Sequence, residues 1–324
     1  MASPIAGGQP MRMLNAAQTA ARLPYPQLVD ALRAMLLKKR NGTATSPDRL
    51  AVPLPGGVLL VMPATDETYV VIKLATLHFD NPARGLPNLQ GEVILMRAGT
   101  GERVIMLDAP TVTARRTAAI SVLAAITLRP PRPGPMLFVG AGVQAHAHLE
   151  AFAATLGIES CGVLSRSTKS AQRFVADAAA IGVAARPVDD LPKAVSEASI
   201  IITVTPSTQP VIPDQVRDDA LVIAVGAFSP GMCELPASLV RRSALYVDDM
   251  ASARLEAGDF LQAGIDWKAV IALEDMLANA PTPGAVLTGD GPSSPANRRP
   301  IVFKSLGHAL WDLAAARMVA DQAA

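Results

Sequence analysis

Two glycines, Gly140 and Gly142, stand where an apolar run gives way to a predicted helix. Residues 136–139 are apolar throughout and indicate a strand, and residues 146–155 have a helical pattern. Glycine at such a turn lets a pyrophosphate approach the backbone N–H groups at the helix N-terminus. Ala145 completes the G-x-G-x-x-A variant of this pattern. The spacing therefore predicts a dinucleotide site, and a plain structural turn is the alternative.

The end of the next predicted strand, at Leu164, carries hydroxyl and basic residues instead of an acid. Enzymes that use NAD place Asp or Glu there to accept a hydrogen bond from the ribose 2′-hydroxyl. Here Ser165, Arg166 and Ser167 follow the strand, and a guanidinium between hydroxyls suits a 2′-phosphate. Alternatively, Ser167 only caps the following helix and Arg166 is a solvated charge. The sequence favours NADPH as the cofactor, with NADH possible.

Three basic residues in the first part of the chain have apolar neighbours in the sequence. Lys73 interrupts the apolar strand predicted over 69–77, so it must face solvent, pair with an acid or bind a ligand. Arg49 opens another predicted strand, and Arg116 follows Arg115 in an apolar helix. Adjacent helical residues cannot share one face, so we expect at least one of these two arginines to bind an anion. A cofactor pyrophosphate and a substrate carboxylate are the candidate anions.

The composition limits the class of protein. A chain of 324 residues, 50% of them hydrophobic, is long enough for two domains with substantial cores. A formal net charge of +1 gives no electrostatic reason to expect nucleic acid or a membrane as a partner. The longest apolar stretch, 117–128, is too short to span a bilayer, and residues 1–15 lack a signal-peptide pattern. The spacing of the two cysteines and four histidines suggests no metal, and we expect a cytoplasmic protein with reduced thiols.

The elements predicted before residue 130 indicate an α+β domain with an antiparallel or mixed sheet. They are a helix over 24–39, strands over 49–53, 58–62, 69–77, 91–96 and 102–108, and a helix over 113–128. The proline-rich segment 129–135 cannot continue that helix and is typical of a stiff domain boundary.

Beyond this boundary, strands and helices alternate, which is typical of a Rossmann-type, doubly wound parallel sheet of the α/β class. The strands are predicted near 136–139, 161–164, 183–188, 199–204, 221–226, 244–248 and 301–303, and a helix over 170–180 is among the helices between them. Residues 279–299 are predicted to form a loop. An amphipathic helix over 306–319 closes the chain, and we expect it to return to the first domain.

Separated motifs in a fixed order, from about residue 12 to residue 320, make a known family recognisable. They are Arg49, Lys73, Gly85-Leu86-Pro87-Asn88, Ala114-Arg115-Arg116-Thr117-Ala118-Ala119, Gly140-Ala141-Gly142-Val143-Gln144 and Phe303-Lys304-Ser305-Leu306-Gly307. On these residues the chain resembles the ornithine cyclodeaminase/mu-crystallin family. The resemblance implies a homodimer formed through a substrate-binding and dimerisation domain over 1–130, to which 305–324 return. It implies a dinucleotide-binding domain over 131–304.

The resemblance also implies roles for individual residues. Arg49 and Lys73 would be the catalytic pair and would hold the substrate carboxylate near the nicotinamide. The residues implied in cofactor binding are Asn88, Arg116, Thr117, Gly140, Gly142, Val143, Gln144, Ser165, Arg166, Ser167, Thr203, Val204, Thr205, Ser305 and Leu306. Among the four histidines, His78, His146, His148 and His308, none is assigned as the catalytic acid.

One departure from the family pattern concerns the reaction. The chain resembles ornithine cyclodeaminases over 224–231 but has Phe228 where those enzymes have an aspartate. Phenylalanine can neither bind the second amino group of ornithine nor transfer a proton, so cyclodeamination is disfavoured. The resemblance then implies NAD(P)H-dependent reduction of cyclic ketimines, 1-pyrroline-2-carboxylate to L-proline and 1-piperideine-2-carboxylate to L-pipecolate. In that reaction Phe228 would be an apolar wall for the substrate ring.

Three other functions stay open from the sequence. They are reductive amination like that of an alanine dehydrogenase, ornithine cyclodeamination, and non-enzymatic binding of NADPH or a small ligand. A requirement for ammonia would distinguish the first, because a preformed cyclic imine needs none. The three cations Arg49, Lys73 and Arg116 argue against an inert binding protein.

Overall fold

The computed structural model describes residues 11–128, 134–278 and 299–322. The predicted loop over 279–299 and the proline-rich segment 129–135 lie almost wholly outside these residues. The chain forms two compact units, of which the first comprises Met1–Arg116 with Ala309–Ala324 and the second Thr117–His308. These limits differ from the predicted domain limits at 130 and 305, and the assignment of a function to each domain stays a prediction.

Within the described residues, the chain forms the following α-helices and strands. The helices are α1 Ala16–Ala21, α2 Tyr25–Arg40, α3 Ala109–Thr127, α4 Val143–Leu156, α5 Thr168–Ala180, α6 Leu191–Glu197, α7 Ala237–Arg242, α8 Met250–Glu256, α9 Gly258–Ala263, α10 Leu273–Ala278 and α11 Ala309–Asp321. The strands are β1 Arg12–Leu14, β2 Ala44–Thr45, β3 Leu50–Leu54, β4 Gly57–Asp66, β5 Tyr69–Leu77, β6 Leu89–Arg97, β7 Arg103–Asp108, β8 Met136–Val139, β9 Ser160–Leu164, β10 Ala184–Pro187, β11 Ile200–Thr203, β12 Leu221–Ala224, β13 Ala244–Val247, β14 Val270–Ala272 and β15 Ile301–Lys304.

The first unit is built on a mixed sheet. Its strands follow the order β1-β7-β6-β5-β4-β2, and β3 pairs with β4. The pairing of β1 with β7 is parallel, whereas β4, β5, β6 and β7 pair antiparallel in sequence order. In β5, Val71, Lys73 and Ala75 are buried, while the intervening residues keep part of their surface exposed. This alternation, which has a period of two, means that Lys73 points toward the core.

The last helix, α11, packs on α2 and on the central strands of the first unit. It is apolar around most of its circumference and most of its residues are buried, as expected of a helix that is enclosed by other elements. The C-terminal helix therefore belongs to the first unit. The helix begins at Ala309 and not at 306, because the N–H groups of Leu306 and Gly307 donate to Asp248 instead.

The second unit is built on a parallel sheet with the order β10-β9-β8-β11-β12-β15-β13-β14. The order reverses between β8 and β11, and in doubly wound folds ligands bind at the carboxyl ends of the strands at such a point. The predicted α/β fold with a Rossmann-type sheet is confirmed. Strands β5 and β8 have the predicted bounds, whereas β1, β2, β14 and α1 were not predicted because they are very short.

Candidate active site

A buried cluster of charges lies in the first unit. Lys73 of β5 is 2% exposed, and its Nζ lies 2.8 Å from Oδ2 of Asp312 in α11. Arg116 of α3 is also buried, and its Nε donates to Oδ1 of Asp312 at 3.2 Å. Lys73 Nζ also lies 3.5 Å from the hydroxyl of Thr113. One carboxylate therefore lies between two cations, and these three side chains together carry a charge of +1.

The surroundings of Lys73 bring its amine close to titration at neutral pH. Burial lowers the pKa of Lys73 from 10.5 to about 8, because desolvation opposes the ammonium more than the charge of Asp312 favours it. The positive charges of Arg116 and Arg49 contribute to this lowering. Arg49 is half-buried and immediately precedes β3. A buried amine with such a pKa can hold or release a proton during a reaction.

The two arginines predicted to point in different directions do so. Arg116 binds Asp312, whereas Arg115 donates through Nε to the carbonyl of Leu23 at 2.8 Å and lies over the ring of Tyr25. The anion that Arg116 contacts in the structure is therefore a carboxylate of the chain itself. Its predicted contact with cofactor phosphates stays a prediction.

The predicted phosphate-binding turn joins β8 to α4 in the second unit. Gly140 has a φ of 112°, and a Cβ placed there would lie 3.0 Å from Cγ2 and the carbonyl oxygen of Val204. In the described parts of the chain, no side chain caps α4 at Gly142, and no atom lies within 4 Å of a Cβ placed at this glycine. Val143, the first helical residue, is 75% exposed. An exposed N-terminus without a side-chain cap, on a helix of 14 residues, fits a pyrophosphate group.

The segment predicted to read the 2′-phosphate follows β9, the strand next to β8. Ser167 caps α5 by accepting from the N–H of Ser170 at 3.3 Å, as the alternative interpretation expected. Ser165 Oγ accepts from the N–H of Ser167 at 3.3 Å. Arg166 between them is exposed, so its guanidinium is accessible to a ligand. Capping by Ser167 and phosphate binding by Arg166 are compatible.

Further predicted cofactor residues lie at the carboxyl ends of β11 and β15. Thr203 is fully buried, and the N–H of Val204 donates to the carbonyl of Val139 in β8 at 2.9 Å. Ser305 Oγ donates to Oδ2 of Asp248 at 2.9 Å, and the N–H of Leu306 donates to the same carboxylate. These segments are held at the edge of the sheet where the phosphate-binding turn also lies.

The remaining predicted site residues lie as follows. Asn88, before β6, is half-buried and its carbonyl accepts from the N–H of His78 at 2.8 Å. Thr117 is buried in α3, where its carbonyl accepts from the hydroxyl of Ser121. Gln144 is half-buried in the first turn of α4. Thr205 and Phe228 are half-buried after β11 and β12, and Phe228 packs against the apolar core of the second unit. No contact in the structure tests the binding roles assigned to these residues.

Each of the four histidines has a contact of its own in the structure. The ring of His78 is 3.1 Å from the carbonyl of Gly56, and that of His146 is 3.1 Å from Asp177. His148 is buried, its ring nitrogens lie near the carbonyl of Gln144 and the hydroxyl of Ser121, and burial lowers its pKa to about 4. His308 lies 3.9 Å from Asp249. These contacts assign none of the four histidines to proton transfer.

Cys161 and Cys233 are buried free thiols, and burial raises the pKa of each to about 11. Among the residues with described positions, no group of three or more His, Cys, Asp or Glu side chains is arranged to hold a metal ion. No helix in the same residues combines the length and apolarity needed to cross a membrane.

Sequence reasoning assigned no role to several charged residues that are buried in the two units. They are Glu234, Asp248, Asp259, Lys304 and Asp312, and each is at most 1% exposed. Asp312 lies in an apolar helix and Lys304 at the end of an apolar strand. A charge in an apolar run was the signal that singled out Lys73, and the same signal was available for these two residues.

Comparison with known proteins agrees with the resemblance seen in the motifs. The family model described as the ornithine cyclodeaminase/mu-crystallin family matches residues 10–324. A Delta(1)-pyrroline-2-carboxylate reductase 1 of Burkholderia multivorans is 39% identical over 312 residues, which cover 95% of each chain. A Delta(1)-pyrroline-2-carboxylate/Delta(1)-piperideine-2-carboxylate reductase of Azospirillum brasilense is 39% identical over 315 residues, which cover 96% of each chain. An archaeal alanine dehydrogenase dimer with bound NAD matches with a TM-score of 0.86 and 25% identity, covering 97% of this chain and 96% of that chain. The chain belongs to the ornithine cyclodeaminase/mu-crystallin family.

Proposed function

We propose that the protein reduces cyclic ketimines with NADPH, converting 1-pyrroline-2-carboxylate to L-proline and 1-piperideine-2-carboxylate to L-pipecolate. The observation that carries the proposal is the buried cluster of Lys73, Arg116 and Asp312, with its charge of +1 and a lysine whose pKa is about 8. The names of the two reductases that are 39% identical support it. This reaction places the protein in proline metabolism.

The positive cluster suits the carboxylate of an imino acid. The charge of Asp312 offsets only one of the two buried cations, so a second carboxylate would complete the charge balance. We assign carboxylate binding to Lys73 and to Arg49, whose charge acts on Lys73. Binding there would orient the adjacent C=N bond, and Phe228 would contact the apolar part of the ring.

The second unit has groups that fit a dinucleotide with a 2′-phosphate. The exposed N-terminus of α4 at Gly142 would bind the pyrophosphate, and Arg166 would bind the 2′-phosphate. The segments after β11 and β15 would flank the nicotinamide. When bound, NADPH supplies the hydride that adds to the imine carbon.

The proton for the imine nitrogen comes from Lys73 in this proposal. Reduction adds a hydride to carbon and a proton to nitrogen, so a proton donor beside the bound carboxylate is needed. The carboxylate of Asp312, 2.8 Å away, keeps the amine protonated below a pH of about 8 in spite of its burial. After transfer, the neutral amine would recover a proton from solvent.

The outer face of the first sheet supports a homodimer formed through the N-terminal domain. Residue pairing places apolar side chains in two rows across this face. The first row consists of Met13, Met106, Ile94, Ile72 and Pro63. The second row lies beside the first and contains Leu74, Val61 and Leu50. Met13 is 64% exposed and Leu50 is 58% exposed. The second row continues into Glu92 and Asp108, so the apolar part of this face ends there. An exposed apolar face is typical of a protein interface, and the alanine dehydrogenase of similar fold is described as a dimer.

Reductive amination is the second candidate, because the alanine dehydrogenase shares the fold over nearly the whole chain. Cyclodeamination stays disfavoured, since Phe228 packs on the apolar core and has no proton to transfer.

The deciding experiment follows NADPH oxidation with 1-pyrroline-2-carboxylate in the absence of ammonia, beside the same assay with NADH. We expect rapid turnover with a preference for NADPH. Turnover of pyruvate only when ammonia is present would favour reductive amination and contradict the proposal. Binding of NADPH without turnover of any of these substrates, ornithine included, would favour the binding protein.

A further inference from the structure

A buried carboxylate of the second unit, Glu234, joins the ends of two neighbouring strands. It is fully buried. Oε1 accepts from the N–H of Thr205 at 2.6 Å and from the Thr205 hydroxyl at 2.8 Å. Oε2 accepts from the N–H of Gly226 at 2.7 Å and from that of Ala227 at 3.2 Å. Thr205 follows β11 and Gly226 follows β12, so each carboxylate oxygen holds one of the two loops.

Glu234 is itself held by the sheet. Its own N–H and that of Leu235 donate to Oδ1 of Asp259 at 2.6 and 2.9 Å. Oδ2 of Asp259 lies 3.0 Å from Nζ of Lys304, the last residue of β15. Strand β15 pairs directly with β12. A chain of fully buried contacts therefore runs from the sheet through Asp259 to Glu234 and on to both loops.

The two loops are in direct contact at Gly226. A Cβ placed at this residue would lie 2.1 Å from the carbonyl oxygen and 2.3 Å from the nitrogen of Thr205, so only glycine permits the approach. On its other side, the loop after β11 touches the phosphate-binding turn, because Val204 lies against Gly140. The loop after β11 therefore contacts the loop of Phe228 on one side and the phosphate-binding turn on the other.

The hydrogen bonds of Glu234 match its ionised form. All four contacting groups are donors, and a protonated carboxyl would direct its own hydrogen at one of them. The pKa of Glu234 is nevertheless raised, because its burial and the nearby charge of Asp259 outweigh the effects of Lys304 and of the hydrogen bonds from Thr205. Replacement by an amide of the same shape would direct two further N–H donors at one loop.

We infer that Glu234 is a positioning residue that fixes the loop of Thr203–Thr205 against the loop of Phe228 and thereby sets the preference for five- or six-membered imine rings. Phe228 directly follows Ala227, whose N–H Glu234 accepts. This role rests on the proposed function, in which the first loop flanks the nicotinamide and Phe228 contacts the substrate ring.

The test compares Glu234→Gln with the wild-type protein. We expect kcat/KM for the preferred imine to fall about 10-fold or more, because small displacements of positioned groups have large effects on rate. The ratio of kcat/KM between 1-pyrroline-2-carboxylate and 1-piperideine-2-carboxylate should change at least about 3-fold, because Phe228 moves relative to the substrate ring. The Kd for NADPH should stay within about 3-fold, because Gly142 and Arg166 keep their groups. The fluorescence emission of bound NADPH, which reports the nicotinamide environment without turnover, should change.

Asp219→Asn is the matched control. Asp219 precedes β12 at its other end and binds Arg217 through both carboxylate oxygens, at 2.8 and 2.9 Å. This variant makes the same change from carboxylate to amide as Glu234→Gln. We expect it to lower the Tm and to leave two quantities at their wild-type values, the ratio of kcat/KM between the two imines and the NADPH emission. Equal changes in both variants would overturn the inference, because they would show a general loss of stability.

An unchanged substrate ratio together with unchanged NADPH emission in Glu234→Gln would also overturn it. If that variant does not fold, Thr205→Val removes only the hydroxyl bond to Glu234, and Thr205→Ser retains it. We expect smaller changes of the same kind in the valine variant than in Glu234→Gln, and still smaller ones in the serine variant. Wild-type values of the substrate ratio and of the NADPH emission in the valine variant would refute the role. If the wild-type protein reduces neither imine, the proposed function fails, while the NADPH emission of these variants still decides whether Glu234 positions the loops.

Discussion

Replacing Asp312 with asparagine removes the carboxylate that lies between Lys73 and Arg116. Breaking a buried ion pair on one side costs about 3–5 kcal/mol when the remaining charge stays. Lys73 can avoid this cost by losing its proton, and Arg116 cannot. One pKa unit corresponds to about 1.4 kcal/mol, so the pKa of Lys73 should fall by at least about 2, from about 8 to about 6 or lower. At pH 7 the protonated fraction would then fall about 10-fold.

The assay is the pH dependence of kcat/KM for imine reduction. Because the reaction needs protonated Lys73, wild-type activity should fall as the pH rises through about 8. In Asp312→Asn the fall should occur about 2 pH units lower, and activity should recover as the pH is lowered. Asp66→Asn is a suitable control, because Asp66 binds Arg317 of the same helix and has no contact with Lys73 among the described interactions. An unchanged upper pH limit in Asp312→Asn would refute the assignment of Lys73 as the proton donor.

Three further predictions concern binding, assembly and stability. Lys73→Met should abolish turnover and leave the Kd for NADPH unchanged. At pH 7 it should also raise the free energy of unfolding, measured by denaturant titration, by up to about 3 kcal/mol. The reason is that burial lowers the pKa of the lysine from 10.5 to about 8, so the charged side chain destabilises the folded state. This gain should shrink as the pH rises from 8 toward 10.5, and a decrease in stability would contradict it. Arg166→Asp should shift the kcat/KM preference from NADPH toward NADH, and an unaltered ratio would mean that another residue reads the 2′-phosphate. Ile72→Glu, in the outer face of the first sheet, should halve the mass measured by light scattering, whereas Leu255→Glu, on an exposed apolar residue of the second unit, should not.

Elements with a strong local pattern could be predicted from the sequence. Strand β5 has the predicted bounds because its buried and outward residues alternate, and β8 because an apolar run ends at glycine. The start of α11 could not be predicted, because the N–H groups that precede it are taken by Asp248, more than 50 positions away. Local propensity contains no information about such a partner.

The candidate site shows the same limit. Lys73 and Arg116 stood out because each is a charge in apolar surroundings, but their shared partner Asp312 is 196 positions from Arg116. The sequence left open whether Lys73 pairs with an acid or binds a ligand, and the structure shows the acid. Ligand binding by the same lysine stays a prediction. Lys73 can pair with Asp312 and also bind a substrate carboxylate, because Asp312 divides its charge between Lys73 and Arg116.

The buried carboxylates Glu234 and Asp312 differ in whether the groups around them are fully paired. Glu234 receives four hydrogen bonds from groups that are already in place, so its surroundings are complete and favour a rigid arrangement of loops. Asp312 faces two buried cations, and its charge cannot balance both. An excess buried charge is costly, and a ligand of opposite charge removes that cost when it binds. The incomplete cluster therefore favours binding of an anionic substrate, whereas the complete one favours a fixed geometry for the groups around it.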